Sequence, residues 1–365
     1  MLKNLMLYIV LGTVYLTTFF LKINKKRIIF ISYNSDKLEG NFKLVSDYLV
    51  KHYDYKLEYI LMKYNNSLAG NIKYLLNCIK QVYMINTSKV VILDYNNYVV
   101  SKFKKSDVKV IQLWHASGAI KKFGNDISRA YKIKNYDYVI SSSEVWKDIY
   151  SSAFNIKVEN VITTGIPKCD LLFSTKEMQK YKKEMLNNYP EITDKKVILF
   201  APTFRGDSIY DIKYVGMNLD YLKSKLSDEY IIIYRVHPSF GDRKIARSNK
   251  IINGNNISLK KIFSITDYLI TDYSAIAFDY SILNKPMIFY ANDLEEYRDS
   301  RGIYLKYENE MPGPICKSED EVIDMINNED FSKYDVERFC DKHFKYKDSK
   351  STERVCKFID RVMSS

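Results

Sequence analysis

The residues best suited to chemistry in this 365-residue sequence stand where short apolar runs end. QLWHASG at 112–118 carries Trp114, His115, Ala116, Ser117 and Gly118 directly after the apolar run 108–113. Open α/β sheets place their sites at such carboxyl ends of strands. A neutral imidazole at His115 can take a proton from an attacking hydroxyl near neutral pH, and Gly118 would let a ligand come close to the backbone. The same residues also fit a hydrogen-bonded loop histidine with Trp114 in the core. YRVHP at 234–238 follows a second apolar run, and the period of two puts Arg235 and His237 on one side of Val236. Arginine offers a fork of donors to a diphosphate, and a protonated histidine neutralises charge on a leaving phosphate. A core histidine before a turn proline is the alternative. A third run leads through Asp272 and Ser274 into an amphipathic stretch, with Ser274 expected to cap a helix whose first N–H groups meet an anion. Asp279, five residues on, would return along that helix toward a ribose or glycerol hydroxyl; a capped helix with no ligand is the alternative. APTFR at 201–205 ends another strand with Thr203 and Arg205, and GIPKCD at 165–170 presents Lys168.

The elements that must position these groups alternate regularly. Runs at 27–32, 59–62, 90–93, 108–114, 138–141 and 161–164 read as strands, with helical patterns such as 41–52 and 70–84 between them. A charged helical stretch at 175–189 closes at Pro190, and the alternation resumes with strands at 197–201, 230–236, 268–271 and 286–290. This predicts an α/β protein of two doubly wound parallel-sheet domains, 25–190 and 191–365, with the last helices able to pack back on the first. Residues 5–21 carry no charge, although Tyr8, Thr13, Tyr15, Thr17 and Thr18 interrupt them, and Lys22, Lys25, Lys26 and Arg27 follow. Segment 1–24 is expected to lie in a membrane interface as an apolar helix, with a true span and a core helix as alternatives.

A formal net charge of +12 implies an anionic partner: nucleic acid, an anionic bilayer or a phosphorylated substrate. The short basic groups, Lys121 and Lys122 among them, are by default solvated faces. Five cysteines without CxxC spacing and four histidines without HExxH spacing suggest neither a disulfide framework nor a zinc site, so no metal is expected. There is no Walker loop, no GxGxxG and no GxSxG, which removes the mechanical parts of kinase, dehydrogenase and serine hydrolase readings.

Taken in order, WHASGAIKKFG, TGIPKCD, APTFR, RVHP and TDYSAIAFDYSILNKPMIFYANDLEEYRDSRG resemble the CDP-glycerol glycerophosphotransferases of Gram-positive wall teichoic acid synthesis, over about residues 108–314. The resemblance implies a GT-B-like fold, with ligands between facing strand ends and CDP-glycerol held mainly by the second domain. It implies an acceptor that is a lipid-linked (undecaprenyl-diphosphate) disaccharide, served by the first domain, and a peripheral protein at the cytoplasmic face of the cell membrane. No cofactor and no nucleic-acid partner are implied. The substrate site would be lined by Trp114, His115, Ala116, Ser117, Gly118, Lys168, Pro202, Thr203, Arg205, Arg235, Val236, His237, Asp272, Ser274, Ala275 and Asp279. His115 would be the base on the acceptor hydroxyl and His237 would stand at the diphosphate. Lys168 replaces a commoner arginine and Ala275 a frequent serine, departures that fit a different polyol donor such as CDP-ribitol. Chain length and motif wording look most like the glycerol-phosphate primase branch. The rivals are a polymerase, a ribitol-phosphate transferase, a GT-B sugar-nucleotide glycosyltransferase and, outside enzymes, a basic nucleic-acid-binding protein.

Overall fold

The computed structural model describes residues 2–64, 67–203, 205, 216–236, 245–246, 248, 250–328 and 330–365, with side chains from residue 6. His237, assigned above to the diphosphate, lies outside the described residues. The chain forms two compact units, one of residues 1–117, 123–170 and 344–365, the other of residues 118–122 and 171–343.

The first unit carries β1 (Asn24–Ser32), β2 (Lys56–Leu61), β3 (Ser88–Leu93), β4 (Lys109–Gln112), β5 (Tyr138–Ser141) and β6 (Val161–Thr163). They form one parallel sheet in the order β2-β1-β3-β4-β5-β6. Ile28, Ile29 and Phe30 of β1 and Val90, Val91 and Ile92 of β3 are fully buried. Such unbroken apolar runs are what a sheet covered on both faces requires. The chain steps from β1 outward to β2 and then crosses to β3, so the order reverses beside Ser32 and Asp94.

The second unit carries β7 (Lys196–Phe200), β8 (Tyr230–Tyr234), β9 (Ile251–Asn253), β10 (Tyr268–Thr271), β11 (Met287–Tyr290) and β12 (Ile315–Cys316), in the parallel order β12-β11-β10-β7-β8-β9. The reversal falls between β7 and β10, at the residues that follow them, 201–203 and 272. Open α/β sheets bind ligands in the crevice made by such a reversal. Strands β9 and β12, three and two residues long, were too short to show as a period in the sequence.

One boundary differs from the expected 190/191, and the carboxyl-terminal helix lies where the sequence allowed it. The helix Thr175–Asn188, placed above in the first domain, belongs to the second unit, where Glu184 pairs with Lys261 at 2.8 Å. Residues 344–365 belong to the first unit, because Asp170 accepts the Ser351 and Thr352 amides and the Thr352 hydroxyl at the start of helix Ser351–Ser364. Gly165 (φ +82°) makes that approach possible, since a Cβ there would collide with the Ser351 hydroxyl.

Helix α1 (Leu2–Thr18) is the expected apolar element, but no described helix is long and apolar enough to cross a membrane. It buries Leu11 and Thr18, packs Tyr8 against Phe103 (5.3 Å between ring centres), and leaves Met6, Ile9 and Leu16 more than half exposed. The Lys105 ammonium reaches the Thr18 and Leu21 carbonyls beyond its end, satisfying acceptors that a helix terminus leaves open.

His343 closes the helix Val336–His343, fully buried against Phe278 and Phe339, with Nδ1 on the Phe339 carbonyl at 2.8 Å. Burial lowers its imidazole from 6.5 to about 4, assisted by Lys342 and opposed by the Phe339 contact and Glu310. A depressed folded value means that the neutral ring contributes fully above the unfolded pKa and loses that contribution as pH falls toward the folded one. Urea unfolding at pH 7.5 and pH 5 should therefore show a loss of about 2 kcal/mol from this group. The loss should be absent in His343→Phe; an unchanged pH dependence in that variant would refute the assignment.

Candidate active site

In the first unit the site begins with Trp114, which adopts φ +56° immediately after β4. Its amide donates to Gln112 Oε1 (2.9 Å), and its indole packs on Phe123 and Phe154 at 4.9 and 5.1 Å. This unusual turn carries His115 out of the core to an exposed position. The His115 ring stacks on Tyr95 (4.3 Å, 10° between planes) and its Nδ1 lies 3.3 Å from the Asp94 carbonyl. A carbonyl can only accept, so Nδ1 is the donor in this contact, and in a neutral ring the lone pair then falls on Nε2. Ser117 is buried, 3.2 Å from Cys169 Sγ, and its carbonyl accepts the Ser142 hydroxyl at 2.6 Å.

Asn41, absent from the sequence reading, joins two of the motifs. Its Nδ2 donates to the Trp114 carbonyl (2.8 Å) and its Oδ1 accepts the Lys168 amide (2.9 Å). A lone asparagine inside an amphipathic helical pattern gives no warning of this, because its partners are 73 and 127 residues away. Asp94 was also missed. Burial pushes its carboxyl up to about 7, against hydrogen bonds from Ser32 and from the Asp94 and Tyr95 backbone, and its Oδ1 has no hydrogen-bond partner among the described residues.

In the second unit the strand reversal assembles Pro202, Thr203, Arg205 and Asp272. The Thr203 amide donates to Asp272 Oδ1 (2.8 Å), while its buried Oγ1 finds no partner among the described residues. Thr203 Oγ1 is thus, among the described residues, a polar atom at the reversal suited to a ligand. Arg205 is oriented otherwise than expected: it donates to Asp293 twice (2.6 and 3.0 Å), to Asp272 (2.9 Å) and to the Thr203 carbonyl (2.7 Å). Four of its five N–H groups are thus engaged inside the protein. The Tyr273 and Tyr297 rings lie 4.8 and 4.9 Å from the guanidinium. Arg205 and Asp272 organise this corner.

Arg235 similarly donates from one nitrogen to the Gly254, Asn255 and Ile257 carbonyls, tying down the turn beside β8, and the buried Val236 amide donates to Asn255 Oδ1. Ser274 stands one residue further ahead of the following helix than a cap by type would, yet it still makes a long capping contact. That helix begins at Ile276 after Ala275, and the Ser274 hydroxyl accepts the Ile276 amide at 3.4 Å from one position earlier. Asp279 is buried on the same helix.

Lys121 is the largest revision. The basic pair in IKKF was expected on a solvated face, yet the Lys121 backbone bridges to Ile303 and Lys122 donates to the Gly302 carbonyl at 3.0 Å. The side chain is half-exposed by area but deep among protein atoms, and burial lowers its ammonium to about 8, with Asp272 raising it and Arg301 and Arg205 lowering it further. The charges that act on Lys121 are thus Asp272, Arg301 and Arg205, and Arg205 is itself paired with both Asp272 and Asp293. Among the described residues no cluster of three His, Cys, Asp or Glu side chains could hold a metal ion.

With this geometry in place, the family model for CDP-glycerol:poly(glycerophosphate) glycerophosphotransferase matches residues 13–361. The chain belongs to that family. It is 32% identical to the teichoic acid ribitol-phosphate primase of Bacillus spizizenii, covering 98% of this chain and 96% of that protein. It is also 32% identical to the teichoic acid glycerol-phosphate primase of Bacillus subtilis, covering 89% and 90%. Against the teichoic acid poly(ribitol-phosphate) polymerase of B. spizizenii it is 33% identical over 94% of this chain but spans only 57% of the longer relative. The solved wall teichoic acid polymerase TagF superposes with a TM-score of 0.78 at 22% identity, covering 100% of this chain and 96% of that one. That likeness shows the fold, which is GT-B-like. As a glycerophosphotransferase-family member the chain is a transferase of teichoic acid and cell-wall synthesis.

Proposed function

We propose that this family member transfers glycerol phosphate from CDP-glycerol to a hydroxyl of a lipid-linked disaccharide, releasing CMP, as a primase. The observation that supports the reading is His115, exposed at the strand end and stacked on Tyr95, with Nδ1 toward the Asp94 carbonyl, the arrangement in which a neutral ring would present Nε2 as its base. In the step proposed, the acceptor oxygen attacks the glycerol-bearing phosphorus, its proton passes to His115 Nε2, and the anhydride bond to CMP breaks. The second unit holds the donor through Pro202, Thr203, Ser274, Ala275 and Asp279, with Arg235 and His237 assigned to the diphosphate. The first unit serves the acceptor. The exposed apolar face of α1, followed by Lys22, Lys25 and Lys26, suits a peripheral position on an anionic cytoplasmic leaflet.

A ribitol donor is the second reading, favoured by the ribitol-phosphate primase match over nearly the whole of both chains. Incubation with a lipid-linked disaccharide and either CDP-glycerol or CDP-ribitol, followed by product mass, tests both. One added glycerol phosphate is expected. Ribitol addition would move the donor assignment, a ladder would make the protein a polymerase, and transfer from neither donor would overturn the proposal.

A further inference from the structure

The first unit holds a cavity that the reaction as described does not use. Its volume is about 370 Å³, at the small end of the range usual for ligand pockets. Tyr33, Tyr74, Tyr98 and Tyr131 line it with Asn96 and Arg129, and Arg129 is the sole charged residue among its described lining residues. Tyr33 follows β1 and Asn96 follows β3, so the cavity opens at the strand reversal of the first sheet.

Two chains of ring contacts leave it. On one side Tyr33 packs on Tyr95 (5.4 Å), and Tyr95 stacks on His115 (4.3 Å). On the other, Tyr131 meets Tyr98 edge-on (5.2 Å), Tyr98 meets Phe103 (6.4 Å), and Phe103 meets Tyr8 on α1 (5.3 Å). The cavity therefore lies along a run of rings from the exposed apolar helix to the proposed base. The polar lining supplies the rest of the argument. Asn97 is committed to the Gln81 side chain and to the Val100 amide, whereas buried Asn96 Oδ1 has no partner among the described residues. Burial pushes the Tyr33 hydroxyl up to about 12 and raises Tyr131 as well, so both remain neutral O–H donors at physiological pH. The Arg129 guanidinium lies 5.3 Å from the Tyr131 ring.

We propose that this cavity is the subsite for a sugar ring of the acceptor glycan, an inference that rests on the transferase reading above. Tyrosine faces cover the apolar faces of a pyranose, while phenol hydroxyls and the Asn96 amide pair its hydroxyls. A single cation in the lining suits a neutral polyhydroxylated ring rather than a diphosphate. The ring chain to Tyr8 suits a glycan whose lipid end is held at a bilayer, and the chain to His115 brings the reacting hydroxyl toward the base.

The test measures steady-state transfer from the CDP-polyol to a short-chain lipid-diphosphate disaccharide, in wild type, Tyr131→Ala and Asn96→Leu. Both variants should raise acceptor KM about tenfold, the effect of losing roughly 1.4 kcal/mol of contact, with donor KM within about twofold of wild type. Asn96→Leu should melt no lower than wild type, because it removes a buried acceptor that lacks a partner. A merely structural asparagine would instead lose stability. Unchanged acceptor KM in both variants overturns the subsite, and a rise confined to donor KM would assign the cavity to the nucleotide. Ligand-observed NMR with N,N′-diacetylchitobiose, which needs no turnover, should show binding to wild type and none to Tyr131→Ala. Lack of binding to wild type sinks the subsite, whereas binding without transfer from any donor sinks the function reading alone.

Discussion

His115→Ala is expected to lower turnover by about 10²–10⁴-fold, the contribution usual for a positioned general base. The acceptor hydroxyl is a poor nucleophile until its proton has somewhere to go, and His115, the base proposed, has Nδ1 toward the Asp94 carbonyl and its ring plane set by Tyr95. Because the side chain is exposed, its truncation should leave the melting temperature within a degree or two. CDP-glycerol affinity, read by calorimetry, should also change little. Single-turnover chemistry under saturating substrates is the deciding measurement. Retention of most of the rate would leave His115 as the hydrogen-bonded loop histidine that the sequence equally allowed. His115→Gln offers a useful comparison, since its amide can fill the space without accepting a proton at neutral pH.

Arg205→Ala should destabilise the second unit by about 3–5 kcal/mol, the cost typical of removing one partner from a buried charge network. The guanidinium side chain is 10% exposed, and the Asp272 and Asp293 side chains it serves are 3% and 17% exposed. The paired arginine holds the Asp293 carboxyl below its ordinary range against burial, which acts to raise it. Without the arginine, the Asp272 carboxylate loses its direct ion pair and keeps the Thr203 amide with the Lys121 charge nearby, while Asp293 keeps Tyr273 and a backbone amide. Urea denaturation reads the loss directly, and Arg205→Lys should recover only part of it because lysine lacks the bidentate fork. A donor-binding role predicts the opposite pattern: near wild-type stability with a large rise in donor KM. Such a result would restore Arg205 to the substrate site.

How far the site was legible varies residue by residue. His115 was legible because a histidine after an apolar run is a strand-end residue whatever the rest of the chain does. Arg205 was placed beside the right strand, but its orientation depended on Asp272 and Asp293, whose carboxylates arrive from 67 and 88 residues away. Ser274 looked like a cap by residue type, and the helix began one position later than type alone suggests. Lys121 showed how local composition misleads: two adjacent lysines look solvated, and only the backbone pairing with Ile303 sets one of them among Asp272, Arg205 and Arg301.

What the sequence determined by itself is whatever follows from local pattern. Alternation of β-branched runs with amphipathic stretches specified two parallel α/β sheets, and the ordered motifs at strand ends specified the family, because both are written in residues close together along the chain. Tertiary structure alone decided the strand order, and with it the reversals beside Asp94 and beside Thr203 and Asp272. It also decided which residues anchor the carboxyl-terminal helix to the first unit, through Asp170, and the bridging of Trp114 and Lys168 by Asn41. The physical reason is common to these cases. A buried polar group must find a partner wherever the fold brings one, and that partner's identity depends on contacts across 67 to 182 residues that no local period encodes.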